Sequence, residues 1–298
     1  STGAEASMFV SSLVGGTARA LVAGATHVYT LHYLGASWRI SAFAQSNLAE
    51  TFVVVGASTD EVRVCHSPSD NYVYGLVVSP GFATANLYRY DADLTSPTPI
   101  RNLAPDLAGF DITDFAMSIT PDGKTLGLTS CSNSTVDSVA HAFFNPTNGA
   151  LIQKSISDLD TGAAFTTRFG LSADFANNFH YLVQTNVNTV WWHKISAFGA
   201  YGAYQALPVE STAHELAFDH EGRTWLLRQR PAGTPNSLIV MDQSAGIIDS
   251  NSFVEDDFPI GTPHTNLAYD VVTKKIVVGL RSASNQLQLY TFDTSAKF

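Results

Sequence analysis

Phe115-Ala116-Met117-Ser118-Ile119-Thr120-Pro121-Asp122-Gly123-Lys124-Thr125-Leu126-Gly127-Leu128-Thr129 is the stretch that decides the fold. Large apolar residues alternate with small ones as far as Thr120, the chain reverses through Pro121 to Lys124, and a second β-prone run follows. Period-two alternation marks a strand packed on both faces, and Asp-Gly tolerates the backbone angles of a tight reversal. The same format recurs in Val62–Pro68 into Tyr72–Val78, Phe169–Ala173 into Phe179–Val183, His214–Asp219 into Thr224–Leu227, and Thr265–Asp270 into Ile276–Leu280. Arg19–Gly24 into Val28–Leu34 fits it more loosely.

Each hairpin is followed by a third apolar run: Trp38–Phe43, Leu87–Tyr90, Val139–Phe144, Val190–Ile195, Leu238–Met241 and Leu287–Phe292. Fourth runs, such as Thr51–Val55, Leu151–Ile156 and Ile247–Phe253, lead onward. Units of about fifty residues with four antiparallel strands each have the composition of propeller blades. Aligning the ends of the first strands at Gly24, Ser67, Thr120, Ser172, Asp219 and Asp270 predicts an all-β, six-bladed β-propeller over residues 1–298 as a single domain. A seven-bladed ring or a β-sandwich is the alternative. The last unit stops after its third strand, so Met8–Val14, an apolar run without a unit of its own, is expected to close the ring as that blade's outer strand.

Two columns accompany the alignment. Val22, Cys65, Ser118, Gly170, Ala217 and Ala268 are small or moderate, and Leu21, Val64, Met117, Phe169, Leu216 and Leu267 beside them are large. The small column is expected near the axis and the large one between blades.

Ile119-Thr120-Pro121-Asp122-Gly123-Lys124-Thr125 resembles the hairpin signature of YVTN/lactonase-like and WD40-like propellers, and Phe218-Asp219-His220-Glu221-Gly222-Arg223-Thr224 is similar to the turn of NHL and gluconolactonase-type repeats. The likeness implies architecture only, because propellers host hydrolases, lectins, receptors and scaffolds alike. Six-bladed lactonases hold calcium near the channel mouth, which Asp114, Glu215 and Asn266 would imitate here. Other candidates where the inner strands begin are Arg63, Arg168, His214 and His264; in the aligned column Arg63 and Arg168 would repel a divalent cation and suit an anionic ligand. His214-Glu215 with His264 lacks the helical spacing of a zincin site, and no Gly-x-Ser-x-Gly elbow or phosphate-cradling glycine loop is present. Trp191-Trp192, Phe198, Tyr201 and Tyr204 invite a sugar-binding surface, yet the Trp and Arg that fucose-type lectin propellers repeat in every blade do not recur.

With 16 basic and 26 acidic residues among 298 the formal charge is −10, and no Lys/Arg cluster neutralises phosphate, so nucleic acid is excluded as the expected partner. No apolar stretch reaches membrane-spanning length. A charged fraction of only 14%, with abundant Ala, Ser, Thr and Asn, favours a non-catalytic interaction or structural module without a cofactor, extracellular or within a virus or phage particle. Its partner would be a protein or a larger assembly, or a surface glycan; the alternative is a lactonase-like hydrolase dependent on calcium.

The aligned hairpin sets Ser118 opposite Gly127 and Asp114 opposite Cys131, so Cys65, the counterpart of Ser118 one blade away, stands about four residues from the level of Cys131. At ~3.3 Å per residue that separation exceeds the ~7 Å between Cα atoms that a disulfide spans. Thiol titration of the denatured protein without reductant is expected to count two thiols; a count of zero in the monomer would refute the register.

Overall fold

A computed structural model of the chain describes residues 9–10, 17–47, 49–132, 138–158, 170–184, 190–195, 201–207, 213–228, 237–242, 253–254, 266–281 and 287–294. The first strand, β1, is Phe9–Val10. The first full sheet follows as β2 (Thr17–Ala23), β3 (His27–Leu34), β4 (Ser37–Ala44) and β5 (Glu50–Ala57). The second holds β6 (Glu61–His66), β7 (Val73–Val78), β8 (Ala85–Tyr90) and β9 (Thr98–Asn102), and the third β10 (Phe110–Ile119), β11 (Leu126–Ser132), β12 (Ser138–Phe144) and β13 (Leu151–Asp158). The fourth is β14 (Leu171–Ala173), β15 (Phe179–Gln184), β16 (Val190–Ile195) and β17 (Tyr201–Leu207); the fifth is β18 (Ala213–Phe218), β19 (Arg223–Arg228), β20 (Ser237–Asp242) and β21 (Phe253–Val254). The sixth comprises β22 (Asn266–Asp270), β23 (Lys275–Arg281) and β24 (Leu287–Asp293), with β1 paired to β24 through Phe9↔Leu289 and Val10↔Gln288.

The described strands thus pair into six four-stranded antiparallel sheets. Inner strands of consecutive sheets touch, β2 with β6, β6 with β10, β10 with β14, β14 with β18 and β18 with β22, and β22 also meets β2. The chain is an all-β protein of propeller architecture. Of the closing segment expected at Met8–Val14, Phe9–Val10 is seen at the outer edge; Met8 and 11–14 lie outside the described residues. The outer strand expected at Ile247–Phe253 is Phe253–Val254, and 243–252 lie outside as well.

The core lies between sheets, not along an axis. Cys65 shares a cluster with Met117 of the next sheet, Val22 packs on the cluster holding Val64, Ala217 lies with Leu267, and Ala268 with Leu21. In these four pairs a sheet turns its small column toward the large column of the following sheet, so the small residues as well as the large ones lie in the core between sheets. The physical reason is that a strand's alternate side chains leave through the two sheet faces, and in a stack of sheets both faces meet neighbours. Small against large lets adjacent inner strands approach while filling the gap. Cys65 is a buried free thiol in that gap, and burial raises its pKa.

The fourth sheet corrects the alignment. Leu171 pairs with Tyr181 and Ser172 with His180, and the turn begins at Asp174, whose N–H donates to the Asn178 carbonyl at 2.9 Å. Asp174, and not Ser172, is therefore the counterpart of Thr120 and Asp219, and the column residues are Ser172 and Leu171 in place of Gly170 and Phe169. The slip is two residues, so every side chain keeps its predicted face. In the third sheet Ser118 pairs with Gly127 as expected, but the ladder breaks between Phe110↔Ser132 and Phe115↔Ser130. Asp114 lies inside this bulge and is not paired with Cys131.

Burial depresses three histidines. His32 is lowered to about 4, first by desolvation and then by the charge of Arg39; His66 and His180 are lowered by burial, against the opposing pull of Asn71 and Asp174 respectively. A folded pKa below the unfolded ~6.5 means that the unfolded chain takes up protons the folded one refuses, so stability is full above pH ~6.5 and falls toward pH ~4. His32 alone accounts for up to about 3 kcal/mol of that loss. Melting temperature is expected to drop across this window and His32→Gln to flatten the drop; a melting temperature independent of pH between 7 and 4 would refute it.

Candidate functional site

The inner hairpin turns position the best-described surface. At the first turn residue a side chain folds back onto backbone N–H groups, as Asp, Ser and Thr do in tight turns. Asp219 accepts from the N–H of Glu221 and Arg223, from Arg223 Nε at 2.7 Å and from Trp225 Nε1 at 2.8 Å. Asp174 accepts from the N–H of Ala176 and Asn178, from Asn178 Nδ2 and from His180 Nε2 at 2.9 Å. Burial pushes the Asp174 carboxyl up, but these donors outweigh it and hold it at about 2. Asp270 accepts from Val272 N–H, from the Thr273 hydroxyl and from Gln45 Nε2 of the first sheet. Thr120 takes the same place in the third sheet, accepting from Thr125 N–H and donating to Asp122 at 2.7 Å.

These carboxylates are buried and filled with donors, and they shape the turns. What the turns present outward is aromatic. Phe175 of the fourth sheet's turn, 42% exposed, meets Tyr269 of the sixth edge to face at 5.8 Å. His220 of the fifth sheet's turn stacks on Tyr269, and Tyr269 Oη and His220 Nδ1 share a hydrogen bond of 2.6 Å. Three sheets thus converge on one ring cluster at the turn end of the inner strands. Neighbouring turns are in contact as well: Asp122 N–H donates to Asn177 Oδ1, and Gly123, at φ 69°, has no room for a Cβ beside Ser69.

The residues expected at the opposite end are placed as follows. Arg63 is a clamp between sheets. Its Nε donates to the Phe115 carbonyl at 2.6 Å, its Nη1 donates to the Val62 carbonyl at 2.8 Å and pairs with Glu61 at 3.2 Å, and its guanidinium lies 4.7 Å over the Phe115 ring. The corrected register puts Gly170, not Arg168, beside Arg63 in the column, which removes the pair of arginines there; Arg168 and His264 lie outside the described residues. Asp114 lies in the β10 bulge, His214 and Glu215 are on β18 with Glu215 opposite Leu227, and Asn266 opens β22 opposite Gly279. Their side chains fall outside the description, as do those of Trp191, Trp192, Tyr201 and Tyr204 on β16 and β17. Among the described residues no group of three or more His, Cys, Asp or Glu side chains is arranged to hold a metal ion, and no helix is long and apolar enough to cross a membrane.

The ring cluster was not legible beforehand. Phe175 and His220 read as ordinary turn residues, and only the Asp-first turn motif, had Asp174 been aligned with Asp219, would have placed Phe175 and His220 side by side.

No protein-family model matches the chain, and no curated protein is similar to it in sequence. Solved structures are similar in fold. A lectin from Aleuria aurantia, in complex with Fucα1-6GlcNAc, aligns with a TM-score of 0.63 at 11% identity over 94% of this chain and 93% of its own. The β-propeller domain of the trilobed protease from Pyrococcus furiosus aligns at 0.51 and 10% over 99% and 84%. The WD40 domain of Toxoplasma gondii coronin aligns at 0.53 and 8% over 98% and 87%. Identities this low carry the fold alone, and the fold they share with this chain is the β-propeller.

Proposed function

We propose that the six sheets form one closed, six-bladed ring, with the N-terminal segment as outer strand of the last blade, and that this disk is a non-catalytic interaction module. Closure is supported by Leu21, Ala23 and Phe43 of the first sheet sharing a core cluster with Ala268 and Val277 of the sixth. It is supported further by the pairing of β1 with β24. Without β1 the last sheet would end on an open edge, which natural sheets avoid. Deleting residues 1–14 is expected to lower the melting temperature markedly and to promote aggregation; unchanged stability would remove the closing role.

One observation carries the functional reading: the turn face exposes the rings of Phe175, Tyr269 and His220 while the carboxylates beneath them are consumed in holding the turns. Aromatic groups on a rigid frame bind with little entropic penalty and dominate many protein interfaces. The partner we assign to this face is a protein of a larger assembly, extracellular or within a virus or phage particle; the weakly charged, Ala/Ser/Thr/Asn-rich composition supports that setting. A photo-cross-linker at position 175 in the native assembly is expected to capture one defined partner, and Phe175→Ser with Tyr269→Ala to release it. In parallel, the purified protein is expected to retain no metal and to turn over no lactone or ester. Stoichiometric calcium or hydrolysis lost in Glu215→Gln would replace this reading with the hydrolase, acting through Asp114, Glu215 and Asn266.

A further inference from the structure

Phe175 and His220, two of the three rings on the turn face, stand on turns whose bases meet at one buried side chain. His180 of β15 is 1% exposed. Its Nε2 lies 2.9 Å from Asp174 Oδ2, and Asp174 heads the turn that carries Phe175. Its ring lies 4.4 Å from that of Phe218, the last residue of β18, directly before Asp219, which heads the turn that carries His220. One imidazole thus fills the gap between the fourth and fifth sheets and touches the base of both turns.

The surroundings suit a neutral ring. Within its own sheet His180 stands opposite Ser172 on β14 and Lys194 on β16, and the Lys194 ammonium is 3.8 Å from Asp174 Oδ2. Asp174 also accepts from Ala176 and Asn178, so its charge is already shared among several donors. From the fifth sheet the ring of Phe218 meets His180, and the Asp219 carboxylate beyond it is engaged by Arg223 and Trp225. An ionised carboxylate accepts and cannot donate, so the proton between Asp174 and His180 sits on Nε2, and a further proton enters at Nδ1. That step places a cation in a gap between two sheets, which is costly. Burial accordingly lowers the His180 pKa; the hydrogen bond and charge of Asp174 act against it, the charge of Lys194 acts with it, and burial prevails. A folded value below the unfolded ~6.5 means that the closed gap is favoured above that pH, and that falling pH favours any arrangement in which water reaches the ring.

We propose that His180 is an acid-operated switch for the turn face: on taking up a proton it parts the bases of the fourth and fifth turns, separates Phe175 from Tyr269 and His220, and so releases the protein bound there. The release step rests on the partner assigned to this face; the switch itself does not. Its leverage comes from position. Phe175 is bonded to Asp174 and His220 to Asp219, so a small displacement at His180 is passed directly to the two rings that meet Tyr269. The proton acts by differential affinity, since the open arrangement binds it and the closed one does not, and the population follows.

The full chain with 4-fluorophenylalanine in place of Phe175 is followed by fluorine NMR from pH 7.5 to 5, with far-ultraviolet circular dichroism in parallel. Below pH ~6.5 a second resonance, from a ring that has left Tyr269, is expected to gain on the first by up to about tenfold per pH unit while the strand signal holds. His180→Gln keeps an amide donor for Asp174 and takes no proton, and it is expected to abolish the gain. Lys194→Gln, at an exposed position, is expected to reduce the gain, because the closed gap then tolerates the proton better. Absence of a second resonance down to pH 5, or loss of the strand signal in step with its growth, would overturn the proposal. A gain unchanged in both variants, or abolished by His220→Gln in their place, would overturn it too and move the switch to the exposed ring. Cross-linking from position 175 in the native assembly is then compared at pH 7.5 and 5, with capture expected to be lost in acid and kept in His180→Gln. Capture kept at pH 5 in the unsubstituted chain would overturn the release step; capture at neither pH, with the fluorine signal still switching, would remove the partner and uphold the switch.

Discussion

Every sheet of this protein must bury two faces at once, and the packing of a small column on one sheet against a large column on the next is how it does so. Cys65 against Met117, Ala217 against Leu267 and Ala268 against Leu21 repeat a single contact around the stack. The contact sets how closely inner strands approach, and through that the position of every turn and connection. It also explains how a chain with 14% charged residues keeps an ordered interior without disulfides: apolar side chains leave each strand in both directions and meet partners on both sides.

The inner turns convert this repetition into a defined surface. In the fourth, fifth and sixth sheets an Asp at the head of the turn is buried and accepts hydrogen bonds from backbone and side-chain donors. Burying a carboxyl group is costly unless its oxygens find donors in this way. Each Asp also reaches outside its own turn, Asp219 to Trp225, Asp174 to His180 and Asp270 to Gln45, so the turns are tied to the sheets beneath and beside them. The rings above, Phe175, His220 and Tyr269, are therefore held on a rigid base. In the second and third sheets Ser67 and Thr120 take the place of Asp, with fewer acceptors and no such ring cluster among the described residues.

The seams between sheets are not wholly apolar. Thr30 and His32 are buried on the first sheet, and the ring of His66 meets Tyr29, His141 meets Tyr181 and His180 meets Phe218 across other seams. Imidazoles held in these gaps are desolvated, which ties the stability of the stack to pH.

Alternation and turn chemistry determined much of this architecture from the residues alone. The strands Val73–Val78, Ser138–Phe144 and Val190–Ile195 were legible because both faces of a stacked sheet demand apolar residues and because Asp-Gly, Glu-Gly and Asn-rich turns mark where each run must stop. Period two also concealed an error: moving the fourth turn from Ser172 to Asp174 leaves every residue on its face, so no pattern of hydrophobicity could have detected the slip. The tertiary structure alone decided which neighbour each face meets. It made Arg63 a clamp on the Phe115 carbonyl, and it brought Phe175, His220 and Tyr269 together from three sheets, nearly one hundred residues apart at the extremes. The reason is that a strand's sequence records only that a side chain leaves by one face or the other; what lies beyond that face belongs to another part of the chain.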